Sequence, residues 1–237
     1  MFLDDFYTLR DGRPCISAEQ ASRFAKRMAG DYNPIHDPDA RRFCVPGDLL
    51  FALVLTHHGL SQRMTFHFRG MVGADVPLDI REHEGGALSM NDASGKEVLI
   101  VERSGETTRD PAVIEAFTRR YIAFSGRNFP HYLKPLMEQQ GVMFNPQRPL
   151  VIYDSMGFTL RTLDIAALQV EFVDSSFEIN GKRGDAYLEF RMTHQGETVG
   201  SGSKKLVVSG LRDYDAAVMD SFVDDFVRRK ALHEQTD

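Results

Sequence analysis

The sequence is poor in the features that mark secreted, zinc-binding and membrane proteins. Its 237 residues include two cysteines, Cys15 and Cys44, too few for a disulfide framework and compatible with a reducing cytoplasm. The longest apolar run, Leu49 to Leu55, is far shorter than the roughly 20 residues that a membrane-spanning helix needs. The amino terminus is acidic at Asp4 and Asp5, where a signal peptide is basic. We therefore expect a soluble cytoplasmic protein with no metal site and no membrane partner.

Positive charge is also scarce. Lysine and arginine number 28 against 34 aspartates and glutamates, which gives a net charge of −6. A chain without a basic face cannot displace the counterions of nucleic acid, so a nucleic-acid partner is not expected. The apolar fraction of 42% is that of an ordinary globular protein, and the length allows one large domain or two small ones.

Two helices are predicted before residue 60. Ser17 and Gln20 have the spacing of a capping box and open a helix that Gly30 ends. A second helix begins at Gly47 and ends near Gly59, and its apolar residues are consecutive rather than periodic. A helix that is apolar on all sides is expected to be enclosed by the rest of the fold.

Alternating apolar and polar residues then predict antiparallel strands. In the first half these strands follow Ser61 and lie near 75–82, 86–91 and 96–104. The second half repeats the order, with helices at 110–124 and about 131–140, then strands near 150–160, 168–179, 185–194 and 197–208. An amphipathic helix from Asp213 to about His233 ends the chain, and we expect it to pack on the chain's own sheet rather than to recruit a partner.

The two halves align with each other when the first is shifted by 96 positions. In this register Gly30 matches Gly126, and Pro34 matches Pro130. The predicted organisation is therefore a first repeat at 1–106, a second at 107–210 and a helix at 211–237. Asp31 and His36 correspond to Arg127 and Tyr132, so the second repeat would keep the element order but lack the aspartate and the histidine.

The segment from Gly30 to His36 carries the candidate chemistry. Pro34 disfavours helical geometry at Asn33, so Asp31 and His36 lie on an irregular loop where they can turn toward one point. A carboxylate and an imidazole that share a water form a general acid/base pair at neutral pH. The alternative is that Asp31 and Asn33 only make turn hydrogen bonds and His36 is an ordinary loop histidine.

Residues 29–36 read Ala-Gly-Asp-Tyr-Asn-Pro-Ile-His. This segment resembles the signature of the MaoC-like hydratases, the (R)-specific enoyl-CoA hydratase group, which is G-D-x-N-P-[LIV]-H ahead of a hotdog helix. The likeness covers about residues 18–60, and the rest of the chain is similar to a bacterial branch of the hotdog superfamily. It implies an α+β double hotdog, in which two tandem repeats each pack an antiparallel sheet on a long helix, with a C-terminal helix added.

In that family an aspartate and a histidine activate water, and a backbone N–H at the start of the helix binds the thioester oxygen. The resemblance gives these roles to Asp31, His36 and Gly47, with Asn33 and Pro34 shaping the loop beside the substrate. Water addition to an α,β-unsaturated thioester builds negative charge on the carbonyl oxygen, which a helix N-terminus can stabilise. The implied substrate is an acyl thioester of coenzyme A or acyl carrier protein, with no further cofactor.

Three positions depart from the family pattern. Pro46 replaces the usual histidine before the helix glycine, and Ala29 replaces a small hydroxyl residue. Asp48 follows Gly47, where its charge would oppose a developing oxyanion unless the side chain points outward as a cap.

Coenzyme A carries phosphates, so basic residues should lie near its entry. Arg41 and Arg42 are the predicted binding residues, and Lys204 and Lys205 are further candidates, although solvated surface charge is the simpler interpretation of each.

Three functions remain open at this point. The first is an enoyl-thioester hydratase or dehydratase that uses Asp31, His36 and Gly47. The second is a non-catalytic hotdog module that binds an acyl thioester or a protein partner, and the third is a hotdog thioesterase. Two repeats in one chain can complete a hotdog pair internally, so both a monomer and a homodimer are compatible with the sequence.

Overall fold

A computed structural model describes residues 2–234. Met1, which begins the predicted first repeat, and residues 235–237, which end the predicted C-terminal helix, lie outside the described residues. The first half contains β1 (Thr8–Arg10), β2 (Arg13–Cys15), α1 (Ala18–Phe24), α2 (Gly47–His58), β3 (Leu60–Phe68), β4 (Asp79–Glu82), β5 (Leu88–Asn91) and β6 (Glu97–Thr108). The second contains α3 (Pro111–Ser125), α4 (Leu133–Gln139), β7 (Val142–Met143), β8 (Val151–Leu160), β9 (Leu168–Asn180), β10 (Arg183–His194), β11 (Glu197–Ser209), β12 (Arg212–Asp213) and α5 (Ala216–Glu234).

Eight strands form one antiparallel sheet in the order β4-β5-β6-β3-β8-β11-β10-β9. Each half contributes four adjacent strands, and the order from the centre outward is the same in both: the first, fourth, third and second of these four strands along the chain. β3 and β8 pair at the centre, where Met64 lies opposite Phe158. The element order predicted to repeat therefore also repeats in the sheet, while the unit boundaries at residues 106 and 210 stay predictions.

The helices α2 and α3 lie side by side on this sheet. Phe51 of α2 contacts Phe66 of β3 with ring centroids 5.0 Å apart, and Tyr121 of α3 contacts Phe190 of β10 at 5.6 Å. Phe51 and Tyr121 also contact each other at 4.9 Å. Every residue from Leu49 to Leu55 is buried, as an all-round apolar helix requires. The predicted α+β class and the double hotdog arrangement are confirmed.

Two predicted boundaries are wrong for local reasons. Residues 75–78 are not a strand, because Asp75 has a left-handed backbone (φ 59°) and Pro77 has no N–H to give to a sheet ladder. The helix predicted from residue 131 begins at Leu133, since Pro130 and its neighbours form an irregular turn first.

The ends of α1 and α3 meet closely. α1 continues into a π-helical turn, Ala25–Ala29, which Gly30 ends in a left-handed conformation (φ 63°). Gly126, which follows α3, lies against this turn: a Cβ there would be 1.7 Å from the carbonyl oxygen of Ala29. Only glycine fits at this contact, and it fixes where the loop after Gly30 begins.

The C-terminal helix α5 packs against its own chain, as expected. Phe222 contacts Phe144 with ring centroids 4.9 Å apart, and Phe226 contacts Phe129 at 6.0 Å. Val227, on the outer side, is 55% exposed. None of the helices among residues 2–234 has the length and apolar character needed to cross a membrane.

Candidate active site

The loop after Gly30 is built by two side-chain turns and a proline. The carboxylate of Asp31 accepts a hydrogen bond from the backbone N–H of Asn33 at 2.9 Å, and the Asn33 side-chain oxygen accepts one from Ile35 at 3.2 Å. Pro34 begins a single 3₁₀ turn that ends at His36, because its fixed φ suits the first position of a helical turn. The turn hydrogen bonds of the simpler alternative are therefore present, and they also orient Asp31 and His36.

Asp31 and His36 face each other across a short gap. The Nε2 of His36 lies 3.7 Å from Oδ2 of Asp31, beyond hydrogen-bond length but within reach of a shared water. The Nδ1 of His36 is 2.7 Å from the carbonyl oxygen of Cys44. Since a carbonyl oxygen only accepts, Nδ1 carries a proton, and in the neutral ring the lone pair of Nε2 faces the gap. The Asp31 side chain is 30% exposed, so solvent reaches the pair.

The amino end of α2 opens onto the same region. In the described part of the chain, the amides of Gly47 and Asp48 find no backbone carbonyl acceptor, as is usual for the first turn of a helix. A Cβ at Gly47 would lie 3.0 Å from Cδ1 of Tyr153 and 3.2 Å from a ring carbon of Phe68. Glycine therefore lets the helix end approach the two aromatic rings and leaves donor groups for a negatively charged oxygen.

Beneath this helix end lies a buried polar cluster that sequence reasoning missed. Lys204 of β11 is 1% exposed, so its interpretation as a solvated surface charge is wrong. Its ammonium donates to the hydroxyl of Ser125 at 2.5 Å and lies 3.9 Å from the ring centre of Tyr153. The Ser125 hydroxyl in turn donates to Asp48 at 2.9 Å. The available signal was that Lys204 falls two residues before the buried Leu206, on the same face of the strand.

The cluster balances the charge of Asp48, which points inward rather than outward as a cap. Burial raises the pKa of the Asp48 carboxyl, and the positive charge of Lys204 and the Ser125 hydrogen bond oppose that rise. Burial lowers the pKa of Lys204, which the carboxylates of Asp48 and Asp31 oppose. Asp48, which departs from the family pattern, is thus compensated by the positive charge of Lys204. An oxyanion that develops near the Gly47 amide would therefore not face an uncompensated negative charge.

Asp48 and Lys204 line, together with Asp31 and His36, one cavity of about 370 Å³, a size typical of small-molecule sites. Asp31, His36, Gly47, Asn33 and Pro34, all predicted for the site, line it together. Apolar residues of β8, β11 and α5, among them Ile152, Leu206 and Phe226, form part of its wall.

Arg41 and Arg42, the residues predicted to bind the phosphates of coenzyme A, do not line this cavity. Arg41 and Arg42 are exposed and are not among the residues that line the cavity; the basic residues that line it are Arg69, Lys204 and Arg229. Lys205 points to the opposite face of β11 and pairs with Asp185 at 2.9 Å.

Two tandem helix-on-sheet repeats with a carboxylate–imidazole pair beside an open helix end define a double-hotdog protein with a candidate acid/base site. The chain belongs to the family described as protein of unknown function (DUF3581), whose model matches residues 1–217. A search of curated proteins gave no match.

Solved structures with a hotdog fold are similar to this chain over most of its length. A hotdog-fold protein from Alicyclobacillus acidocaldarius is 12% identical, with 88% of this chain and 98% of that one covered and a TM-score of 0.48. The acyl-CoA thioesterase II TesB2 of Mycobacterium marinum is 11% identical, with 90% and 98% covered and a TM-score of 0.46. A MaoC-like dehydratase is 12% identical, with 86% and 98% covered and a TM-score of 0.44. Likeness at this level is no guide to activity.

Proposed function

We propose that the protein is an acyl-thioester enzyme that adds water to an enoyl thioester or removes it from the corresponding 3-hydroxyacyl thioester. The observation that carries this proposal is the 3.7 Å approach of His36 Nε2 to Asp31 Oδ2, in the cavity that Gly47 also lines. The resemblance of residues 29–36 to the MaoC-like signature supports the same reaction.

In the hydration direction a water held between Asp31 and His36 attacks the β carbon of the enoyl group. Nε2 of His36 takes the water proton while Asp31 Oδ2 holds the other hydrogen. The double-bond electrons move toward the carbonyl, where the Gly47 amide stabilises the enolate oxygen. The imidazolium then donates a proton to the α carbon, so that one water is added and His36 returns to its neutral form.

The test is hydration of crotonyl-coenzyme A by the purified full chain, followed by loss of the enoyl absorbance. Asp31→Asn and His36→Ala should each lower kcat/KM on the order of a hundredfold or more, the usual contribution of a general acid/base group. Asp39→Asn and His131→Ala are matched controls, because both residues are exposed and lie outside the cavity lining. Hydration that persists in both site variants would refute the assignment.

A second reaction uses the same geometry. The orphan amide at Gly47 can equally stabilise the oxyanion formed when the held water attacks the thioester carbonyl, which is hydrolysis. Release of free coenzyme A from saturated acyl thioesters, detected with a thiol reagent, distinguishes hydrolysis from hydration. Binding of acyl thioesters without either product, unchanged by Asp31→Asn, would favour a non-catalytic binding module.

A further inference from the structure

One face of α5 forms part of the cavity wall. Phe222, Asp225, Phe226 and Arg229 all line the cavity, and their spacing of three, four and seven residues places them on a single side of the helix. The mechanism above uses none of them. The outer side of α5 carries residues such as Val227, which is 55% exposed.

The aromatic residues of this face reach the loop that carries the acid/base pair. Phe226 packs edge-on against Tyr32, with ring centroids 5.6 Å apart, and Tyr32 directly follows Asp31. Phe226 also contacts Phe129 from the second half of the chain. The ring of Phe226 therefore lies between Tyr32 of the Asp31 loop and Phe129 of the second half.

Charged residues attach the same helix to the end of the turn that carries His36. Arg229 Nη1 lies 2.7 Å from Oδ2 of Asp37, and its Nε lies 2.6 Å from Asp225. The other oxygen of Asp37 pairs with Lys26 at 2.8 Å. Asp37 follows His36 and caps its 3₁₀ turn, and its side chain is only 16% exposed. A displacement of α5 would thus strain the turn that orients His36.

The wall next to Phe226 is suited to an apolar ligand group. Ile152, Leu206 and Phe129 line the same cavity, and the two charged residues on this face of α5, Arg229 and Asp225, are paired with each other. The same cavity contains the Asp31–His36 gap, so an acyl chain whose reacting carbons lie at that gap can extend toward this wall.

We propose that α5 is the wall of an acyl-binding site in which Phe226 sets the length of acyl group accepted and Arg229 holds the wall against the His36 turn. The ligand class is the apolar acyl group of a thioester, and the proposal rests on the proposed function for that substrate class. Phe226 is a specificity-determining residue, and Arg229 is a positioning residue that acts through Asp37.

The experiment is calorimetric titration of the full chain with butyryl-, octanoyl- and dodecanoyl-coenzyme A, saturated thioesters that bind without hydration. Phe226→Ala frees space, and each further methylene buried there should raise the association constant about fourfold. The ratio of dodecanoyl to butyryl affinity should therefore rise on the order of tenfold or more. Phe226→Trp fills space and should lower the same ratio. The two opposite shifts keep the test decisive if either variant is poorly folded.

Val227→Ala is the matched control, since it removes apolar surface from the outer side of the same helix and should leave the ratio unchanged. Arg229→Gln should weaken every chain length alike, by up to about tenfold, because the wall loses the charge-assisted hydrogen bond that holds it against Asp37. It should also lower kcat for crotonyl-coenzyme A, because the His36 turn loses its attachment. A role of Arg229 in folding alone would lower the melting temperature without changing kcat.

The outcomes separate this inference from the proposed reaction. Ratios that move in opposite directions in the two Phe226 variants support the wall even if no hydration is found. Active hydration with unchanged ratios overturns the wall and leaves the reaction intact. Failure of the wild-type chain to bind any of the three thioesters overturns both.

Discussion

Replacing Lys204 by methionine removes a buried ammonium and keeps the length of the side chain. Asp48, itself buried, would then keep the Ser125 hydrogen bond but lose its nearest compensating charge. Breaking a buried charge pair by removal of one partner costs about 3–5 kcal/mol. The variant should lose that much of the free energy of unfolding at neutral pH, measured by urea denaturation with circular dichroism.

The loss should depend on pH in a defined direction. The carboxyl pKa of Asp48 is raised in the folded state by burial, so its contribution is fully present below its ordinary pKa and is lost as pH rises through the folded value. Removing Lys204 raises that folded pKa further, because the stabilising cation is gone. The stability difference between wild type and Lys204→Met should therefore be small near about pH 4 and should grow as pH rises through the folded pKa of Asp48.

Two comparisons decide whether charge is the cause. Lys205→Met removes the neighbouring lysine, whose side chain is 22% exposed and pairs with Asp185, and should cost less than about 1 kcal/mol. The double variant Lys204→Met with Asp48→Asn leaves no charge to compensate and should recover most of the loss. Equal losses for the two lysine variants, or no recovery in the double variant, would refute the reasoning.

Three further expectations follow from single contacts. Gly126→Ala should cost about 3 kcal/mol of unfolding free energy, because its Cβ would overlap the Ala29 carbonyl; Gly73→Ala, where the nearest atom would be 3.9 Å away, is the control. Ser17→Ala should cost about 1 kcal/mol by loss of the α1 cap, measured the same way. Proton NMR in water should show a hydrogen-bonded Nδ1–H for His36, and detection of neutral His36 protonated at Nε2 instead would contradict the assigned tautomer.

Local chemistry made much of the fold predictable. Ser17 and Gln20 exchange the two capping-box hydrogen bonds that their spacing indicates. Along β10, Ala186 and Leu188 are buried while Glu189 is exposed, as alternation requires. In both cases the interactions that decide the structure lie within a few residues or on one face of a single element. The local sequence pattern is therefore sufficient to predict them.

The parts of the site that were missed depend on contacts between distant residues. Lys204 is buried where Ser125, 79 residues earlier, accepts a hydrogen bond from it, and neither position indicates the other in the sequence. Arg229 meets Asp37 across 192 residues, so the sequence indicated an amphipathic helix but not what it covers. The proximity of Asp31 and His36 could be predicted from the sequence because one short loop, shaped by Asn33 and Pro34, carries both.

The central pairing of β3 with β8 joins the two halves in one sheet, and residues of both halves line the cavity. The first half holds Asp31 and His36, whereas Ser125, Lys204 and the whole of α5 come from the second. Under the proposed function the second half, which has no acid/base pair of its own in the predicted alignment, would supply the positive charge of Lys204 and the α5 wall. Expression of residues 1–106 alone should yield a chain with the motif but without a working pocket.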